Sequence, residues 1–180
     1  YIQHFIQTLQ LTYPEAQPTE IPKWEWTIFD RTTSGIGSDV VMGIDEDSSG
    51  HLWFATQGGG ASHLYNGMWN SFTTENTQIP SDRLLAITVG EDDRIWVGTD
   101  GVGVGLFDGE KWQTFDTTNS GLRNDLVFAI HEDHRSRMWF GTWGGGVSLL
   151  YDGTWTTYTT QNTGLAHNKI RTILEDSSNR

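Results

Sequence analysis

Short apolar blocks alternate with polar turns along this chain, and the blocks recur every 43 residues. Trp26, Trp69, Trp112 and Trp155 share that spacing, as do Trp53, Trp96 and Trp139. Ile44, Ile87, Ile130 and Ile173 keep it, and so do Thr56, Thr99 and Thr142, and Phe29, Phe72, Phe115 and Tyr158. A fixed period of this length marks a repeat architecture. Each unit predicts four short strands. The first is apolar almost throughout: 40–45, 84–88, 126–130 and 170–174. Such a run fits a strand covered on both faces. The second carries a Trp: 51–56, 94–99 and 137–142. The third covers 61–65, 104–107 and 147–151. Tight turns such as Asn66-Gly67 and Asp152-Gly153, strong hairpin signals, lead to the fourth at 69–72, 112–115 and 155–158. Trp69 and Phe72 lie three apart on one strand, so they point to opposite faces. Each can then fill the gap on one side of its unit.

Four antiparallel strands per 40–50 residues describe a blade of a β-propeller, an all-β fold. Full blades are expected at about 40–73, 83–116 and 126–159. A lone outer strand is expected at 25–30 and a lone inner strand at 169–175. Residues 24–180 thus hold about three and a half blades. That is too few to close a ring of typically 4–8. The expectation is a partial or open array, either a piece of a longer one or closed by the remaining blades of the same or another chain. Residues 1–23 lack the repeat and read as a leader or linker. Ile2, Phe5, Ile6 and Leu9 suggest a short helix there, stopped by Pro14, Pro18 and Pro22.

Composition narrows the function classes. The net charge is −12, which argues against nucleic acid and against anionic lipid surfaces. The absence of cysteine excludes a disulfide scaffold, a thiolate zinc site and a Cys nucleophile. No apolar run approaches the ~20 residues of a membrane helix, so no direct membrane insertion is expected.

The repeated frame resembles the two-component regulator propeller repeat. It reads Ile130-His131-Glu132-Asp133, then Met138-Trp139-Phe140-Gly141-Thr142-Trp143-Gly144-Gly145-Gly146-Val147. Tyr151-Asp152-Gly153-Thr154-Trp155-Thr156-Thr157-Tyr158 follows, and Asn162-Thr163-Gly164-Leu165 completes it. The middle copy departs, with Val89-Gly90-Glu91-Asp92-Asp93 at the acidic turn and Gly101-Val102-Gly103 for the triple glycine. The resemblance implies a periplasmic or extracellular ligand-binding sensor module of a two-component-type signalling protein. It also implies that carbohydrate is a common ligand, and that any kinase output lies outside these residues.

Propeller ligands usually sit at one mouth of the central channel. The turn between the second and third strands keeps its frame while one position varies: Gln57, Asp100 and Trp143. A constant scaffold with a varying position suits a binding rim. Arg83 and Lys169, at the start of inner strands with Arg171 nearby, add cations that would attract an anionic ligand. The expected ligand is a small molecule or an oligosaccharide. Asp39, Asp82, Asp125 and Asn168 precede the inner strands and read as turn-forming residues. Asp45-Glu46-Asp47-Ser48-Ser49-Gly50 resembles half a calcium loop, but Thr56 stands where the bidentate Glu belongs. Neither a metal nor a cofactor is expected. The Asp-x-x-Gly-x-x-Trp spacing is distantly similar to the structural Asp-box of sialidase-type propellers. His4, His51, His63 and His167 look scattered. No catalytic set stands out, and His131, Glu132 and His134 are the one dense supply for an alternative propeller enzyme, streptogramin-lyase-like or glycan-cleaving. A pure protein-interaction scaffold is the other alternative.

Overall fold

The computed structural model describes residues 27–179. Within them it is all-β. Strands β1 (Val41–Glu46), β2 (Leu52–Thr56), β3 (Ala61–Tyr65) and β4 (Met68–Phe72) form the first blade. The second blade is β5 (Leu84–Val89), β6 (Ile95–Thr99), β7 (Val104–Phe107) and β8 (Trp112–Phe115). The third is β9 (Val127–Glu132), β10 (Met138–Thr142), β11 (Val147–Tyr151) and β12 (Thr154–Tyr158). Each sheet is antiparallel and its strands lie side by side in chain order. The helix expected near residue 5 and Trp26 lie outside the described residues. Of the outer strand expected at 25–30, Thr27 forms a bridge while 28–30 do not. In the segment expected as an inner strand at 169–175, Lys169 bridges Trp143 and the rest has no ladder partner. In the other copies that partner is the Trp-bearing second strand, which has no counterpart among the described residues.

The turns follow from local chemistry. Asn66-Gly67 and Asp152-Gly153 all have positive φ, between 47° and 76°, as the tight hairpin requires. In the β2–β3 turn and its equivalents, Gly60, Gly103 and Gly146 also have positive φ. A Cβ at any of them would run into the carbonyl oxygen of Phe72, Phe115 or Tyr158. The recurrent Thr locks the same turn from within. Thr56, Thr99 and Thr142 are fully buried and donate to the carbonyls of Gly60, Gly103 and Gly146 at 2.8–3.0 Å.

Two apolar cores lie between the blades. Trp53, Ile79, Leu84, Ile87, Val97 and Trp112 join the first blade to the second. Trp96, Leu122, Val127, Met138 and Phe140 join the second to the third. Trp112 meets Phe72 in the first gap, and Phe115 meets Trp155 in the second. The Trp of each fourth strand therefore faces the preceding blade and its aromatic partner the following one. The inner strands are not equivalent. β5, between β1 and β9, is buried along its first four residues. β1 alternates, leaving Met42 and Ile44 exposed, because no described residue covers its other side. Trp139 is likewise only half-buried, although it repeats Trp53 and Trp96. The face it points to borders a cleft with Leu165 and Ile173, and no further blade lies against it among the described residues.

The Asp residues ahead of the inner strands are anchors. The Asp82 carboxylate accepts from Thr74 N and Oγ1 at 2.7 and 2.9 Å, and Asp125 accepts from Thr117 N and Oγ1 at 2.8 and 3.0 Å. Asn168 accepts from Thr160 N at 2.8 Å. Asp125→Ala should therefore cost about 1–2 kcal/mol in denaturant unfolding, whereas Asp125→Asn, which copies Asn168, should cost under about 0.5 kcal/mol. Equal losses for both would refute the anchoring role.

Candidate functional site

The rim is built where each β2–β3-type turn meets the start of the next inner strand. Gln57 bridges Arg83, Asp100 bridges Leu126, and Trp143 bridges Lys169. Each rim residue also donates its amide to the inner strand of its own blade: Gln57 to Val40, Asp100 to Arg83, Trp143 to Leu126, at 2.9–3.0 Å. The carbonyls of Asp82, Asp125 and Asn168 accept from the turn glycines, tying each turn to the following blade. The varying residue thus projects from a backbone bonded on both sides.

Of the five residues expected at the rim, two pair with each other, two meet at one ring and one stands apart. Arg83 Nη2 lies 2.5 Å from Asp100 Oδ2. The two form an exposed ion pair, with the Arg83 side chain 61% exposed. Around Trp143 the arrangement is different. Lys169 Nζ lies 4.6 Å from the ring centroid and the Arg171 guanidinium 4.7 Å from it. Arg171 also lies 4.9 Å from the Phe128 ring, which is 5.3 Å from that of Trp143. Gln57 is exposed and takes part through its backbone.

Sequence reading missed Phe128, because it lies inside an apolar inner strand. Register supplies the missing signal. Pairing skips from Val127 to Ala129 opposite Thr142 and Gly141, so Phe128 is bulged out of the ladder. Bulges re-aim side chains at barrel rims and binding sites. The equivalent residues Met42 and Leu85 are skipped in the same way, and only the third blade places an aromatic there.

The opposite ends of the inner strands border a cleft of about 550 Å³ lined by Asp45, Asp47, Glu91, Asp93, His131 and Glu132, among others. Several carboxylates here join one blade to the next. Asp45 accepts from Val89 N, Glu132 from Glu91 N, and Asp93 from Ser48 N, each at 2.8 Å. His134 pairs with Glu175. Burial and the neighbouring Glu91 and Asp92 raise the Glu132 carboxyl, against the Glu91 amide that lowers it. The residues considered for an enzyme therefore lie at the mouth away from the rim, with Glu132 bonded to the second blade and His134 to Glu175 beyond the third.

The acidic hairpin turn is capped by its own carboxylate. Asp47 Oδ1 accepts from Ser49 N and His51 N, and Oδ2 from Trp53 Nε1 at 3.3 Å. Asp133 does the same with Arg135 N, Arg137 N and Trp139 Nε1. In the first blade this corner also holds two histidines. His51 Nδ1 lies 3.3 Å and His63 Nε2 3.7 Å from Asp47 Oδ2. Burial pushes the His63 imidazole below its ordinary value, with Asp47 opposing. The sequence shows these residues as scattered. The Trp53–His63 register of β2 and β3 brings them together.

Comparisons with known proteins agree with this geometry. Residues 121–144 match the family model described as "Two component regulator propeller". The extracellular domain of BT3049 from B. thetaiotaomicron, assigned to a hybrid two component system, superposes with a TM-score of 0.75 at 22% identity, over 88% of this chain and 22% of that one. The corresponding domain of BT4673 from the same organism gives 0.62 at 18%, over 78% and 21%. Virginiamycin B lyase from Staphylococcus aureus, solved with quinupristin, gives 0.60 at 16%, over 78% and 47%. At these identities the likeness establishes the propeller fold. The chain spans about a fifth of the length of the two extracellular domains. No curated protein matches the chain in sequence.

Proposed function

We propose that this chain, an array of two component regulator propeller repeats, is the recognition part of a periplasmic or extracellular sensor module and binds an acidic carbohydrate at its rim. The carrying observation is the set formed by Trp143, Phe128, Lys169 and Arg171. Its aromatic rings suit the apolar face of a sugar. The rings also hold two cations beside the mouth, and in a protein of net charge −12 that is a local reversal of sign. A bare sugar would meet rings already shared with ammonium and guanidinium groups. A carboxylate- or sulfate-bearing sugar would engage both at once. The similarity to extracellular domains of two component systems supports the sensor role and the location. The output domain would lie elsewhere in the whole protein, and the ring would be completed by further blades of the same or another chain.

Calorimetric titration with a panel of neutral and acidic oligosaccharides tests this reading. Binding of an acidic member should weaken at least about tenfold in Trp143→Ala, roughly 1.4 kcal/mol, and weaken again in Lys169→Ala. Added salt should reduce it, since exposed charges are screened over about 10 Å at 0.1 M. Arg83→Ala should leave binding intact. It should also change stability by under about 1 kcal/mol, as its side chain is 61% exposed in its pair with Asp100. If no sugar binds while a protein partner is retained, the propeller is an interaction scaffold and the proposal fails.

A further inference from the structure

The three blades carry the same corner with different chemistry. Where the first blade has Asp47, His51 and His63, the second has Gly90, Arg94 and Leu106 and the third Asp133, Arg137 and Leu149. In the third blade Arg137 Nε donates to Asp133 Oδ2 at 2.6 Å, and that ion pair completes the corner. In the first blade the Arg position is histidine, and so is the Leu position on the facing strand. Both departures introduce an imidazole, and both imidazoles converge on one carboxylate oxygen.

We propose that Asp47, His51 and His63 form a binding site for a divalent transition-metal ion, with zinc as the reference ion. The ligating atoms all lie within 4.8 Å of one another. Zinc ligands about 2.0–2.1 Å from a tetrahedral ion stand roughly 3.3 Å apart. The Asp47 oxygen lies 3.3 Å from His51 Nδ1 and 3.7 Å from His63 Nε2. His63 Nε2 is buried with no hydrogen-bond partner. A buried ring nitrogen left unpaired is costly, and a metal bond would satisfy it.

The supporting shell is in place. Asp47 Oδ1 is taken up by two turn amides, so Oδ2 is the oxygen aimed at the histidines. Trp53 donates to that carboxylate and stacks on His63 at 4.0 Å, and Tyr65 stacks on His63 at 5.1 Å. Such contacts orient ligands and set metal affinity. The three side chains keep 13–27% of their surface exposed, so an ion can enter and retain water as a fourth ligand. Two imidazoles and one carboxylate suit Zn²⁺, Ni²⁺ or Cu²⁺ and not Ca²⁺, which takes 6–8 oxygens. A bound ion would clamp the β1–β2 turn to β3. The site is independent of the sugar-binding reading.

The test is calorimetric titration of metal-stripped protein with ZnCl₂, and of the same protein with CoCl₂ followed by visible absorption. One equivalent should bind, with the colour of tetrahedral cobalt, and affinity should fall as pH drops through the histidine range. His63→Leu and His51→Arg copy residues that the second and third blades already carry. Each should leave the far-ultraviolet circular dichroism unchanged and weaken zinc binding at least about tenfold. Binding in either folded variant equal to that of the parent would place the metal on other histidines and overturn the proposal. Failure of the parent to bind would do the same. Should His63→Leu not fold, His51→Arg decides.

Discussion

Trp96→Ala is expected to destabilise the protein by about 3–5 kcal/mol, the largest effect of any single truncation proposed for this chain. Trp96 is 4% exposed and sits in the core between the second and third blades. It stacks with Phe115 at 5.9 Å and meets Phe140 at 5.5 Å. Truncation removes a large apolar area and leaves a cavity whose walls belong to two different sheets. The measurement is urea unfolding of parent and variant with the slope compared as well as the midpoint. Trp139→Ala is the matched control. It repeats the same position, but its ring is half-buried beside Tyr158 and its indole donates to Asp133 Oδ2, so its loss should be about 2–3 kcal/mol. A midpoint for Trp96→Ala equal to that of the parent would mean that the two blades do not pack through this core.

Removing the Asp133 carboxylate should cost about 2–4 kcal/mol, because it leaves several donors unpaired around a buried position. Asp133 is 4% exposed. Oδ1 accepts from Arg135 N and Arg137 N at 2.9 and 3.1 Å, and Oδ2 from Arg137 Nε and Trp139 Nε1 at 2.6 and 2.7 Å. Burial by itself would raise the carboxyl. The Trp139 indole, the two amides and the Arg137 guanidinium outweigh it and hold the group down at about 2, against 3.8 when unperturbed. A depressed acid stabilises the fold above its unfolded value and loses that contribution as pH falls through the folded one. The window is therefore about pH 4 down to 2, and the amount roughly 2 kcal/mol. Asp47 is lowered too, so the useful quantity is the difference between parent and Asp133→Asn. That difference should be constant above pH 4 and shrink towards pH 2. A difference independent of pH across the window would show that the carboxylate is not held this way.

Much of the fold was legible because it is local. The strand blocks, the Asn-Gly and Asp-Gly turns and the opposed directions of Trp69 and Phe72 depend on neighbours within a few residues. So does the anchoring role of Asp82, Asp125 and Asn168, whose partners lie eight positions upstream. The acidic turns were legible as turns but not as joints. That Glu132 accepts the Glu91 amide, 41 residues away, follows from the approach of two sheets. No spacing rule encodes it.

At the rim, sequence identified the varying positions but not their company. Arg83 and Asp100 are 17 residues apart, and only the tertiary structure shows that they pair. Phe128 joined the site through a skipped register, invisible in an unbroken apolar run. The histidine corner carried the weakest signal. His51 and His63 sit on either side of a hairpin and meet only because β2 and β3 pair Trp53 with His63.

The sequence by itself determined the repeat, the strand content of each blade, the turn geometry and the residues destined for the gaps between blades. These rest on periodicity and on φ preferences, which act over a few residues at a time. The tertiary structure decided which copies of a repeated residue are buried, which charges are cancelled and which side chains converge. Trp96 and Trp139 occupy the same place in the repeat and differ in burial because one faces a neighbouring blade and the other faces none among the described residues. β5 and β1 differ for the same reason. Burial belongs to the packing of sheets against one another, and a repeat unit cannot specify alone what its neighbour will cover.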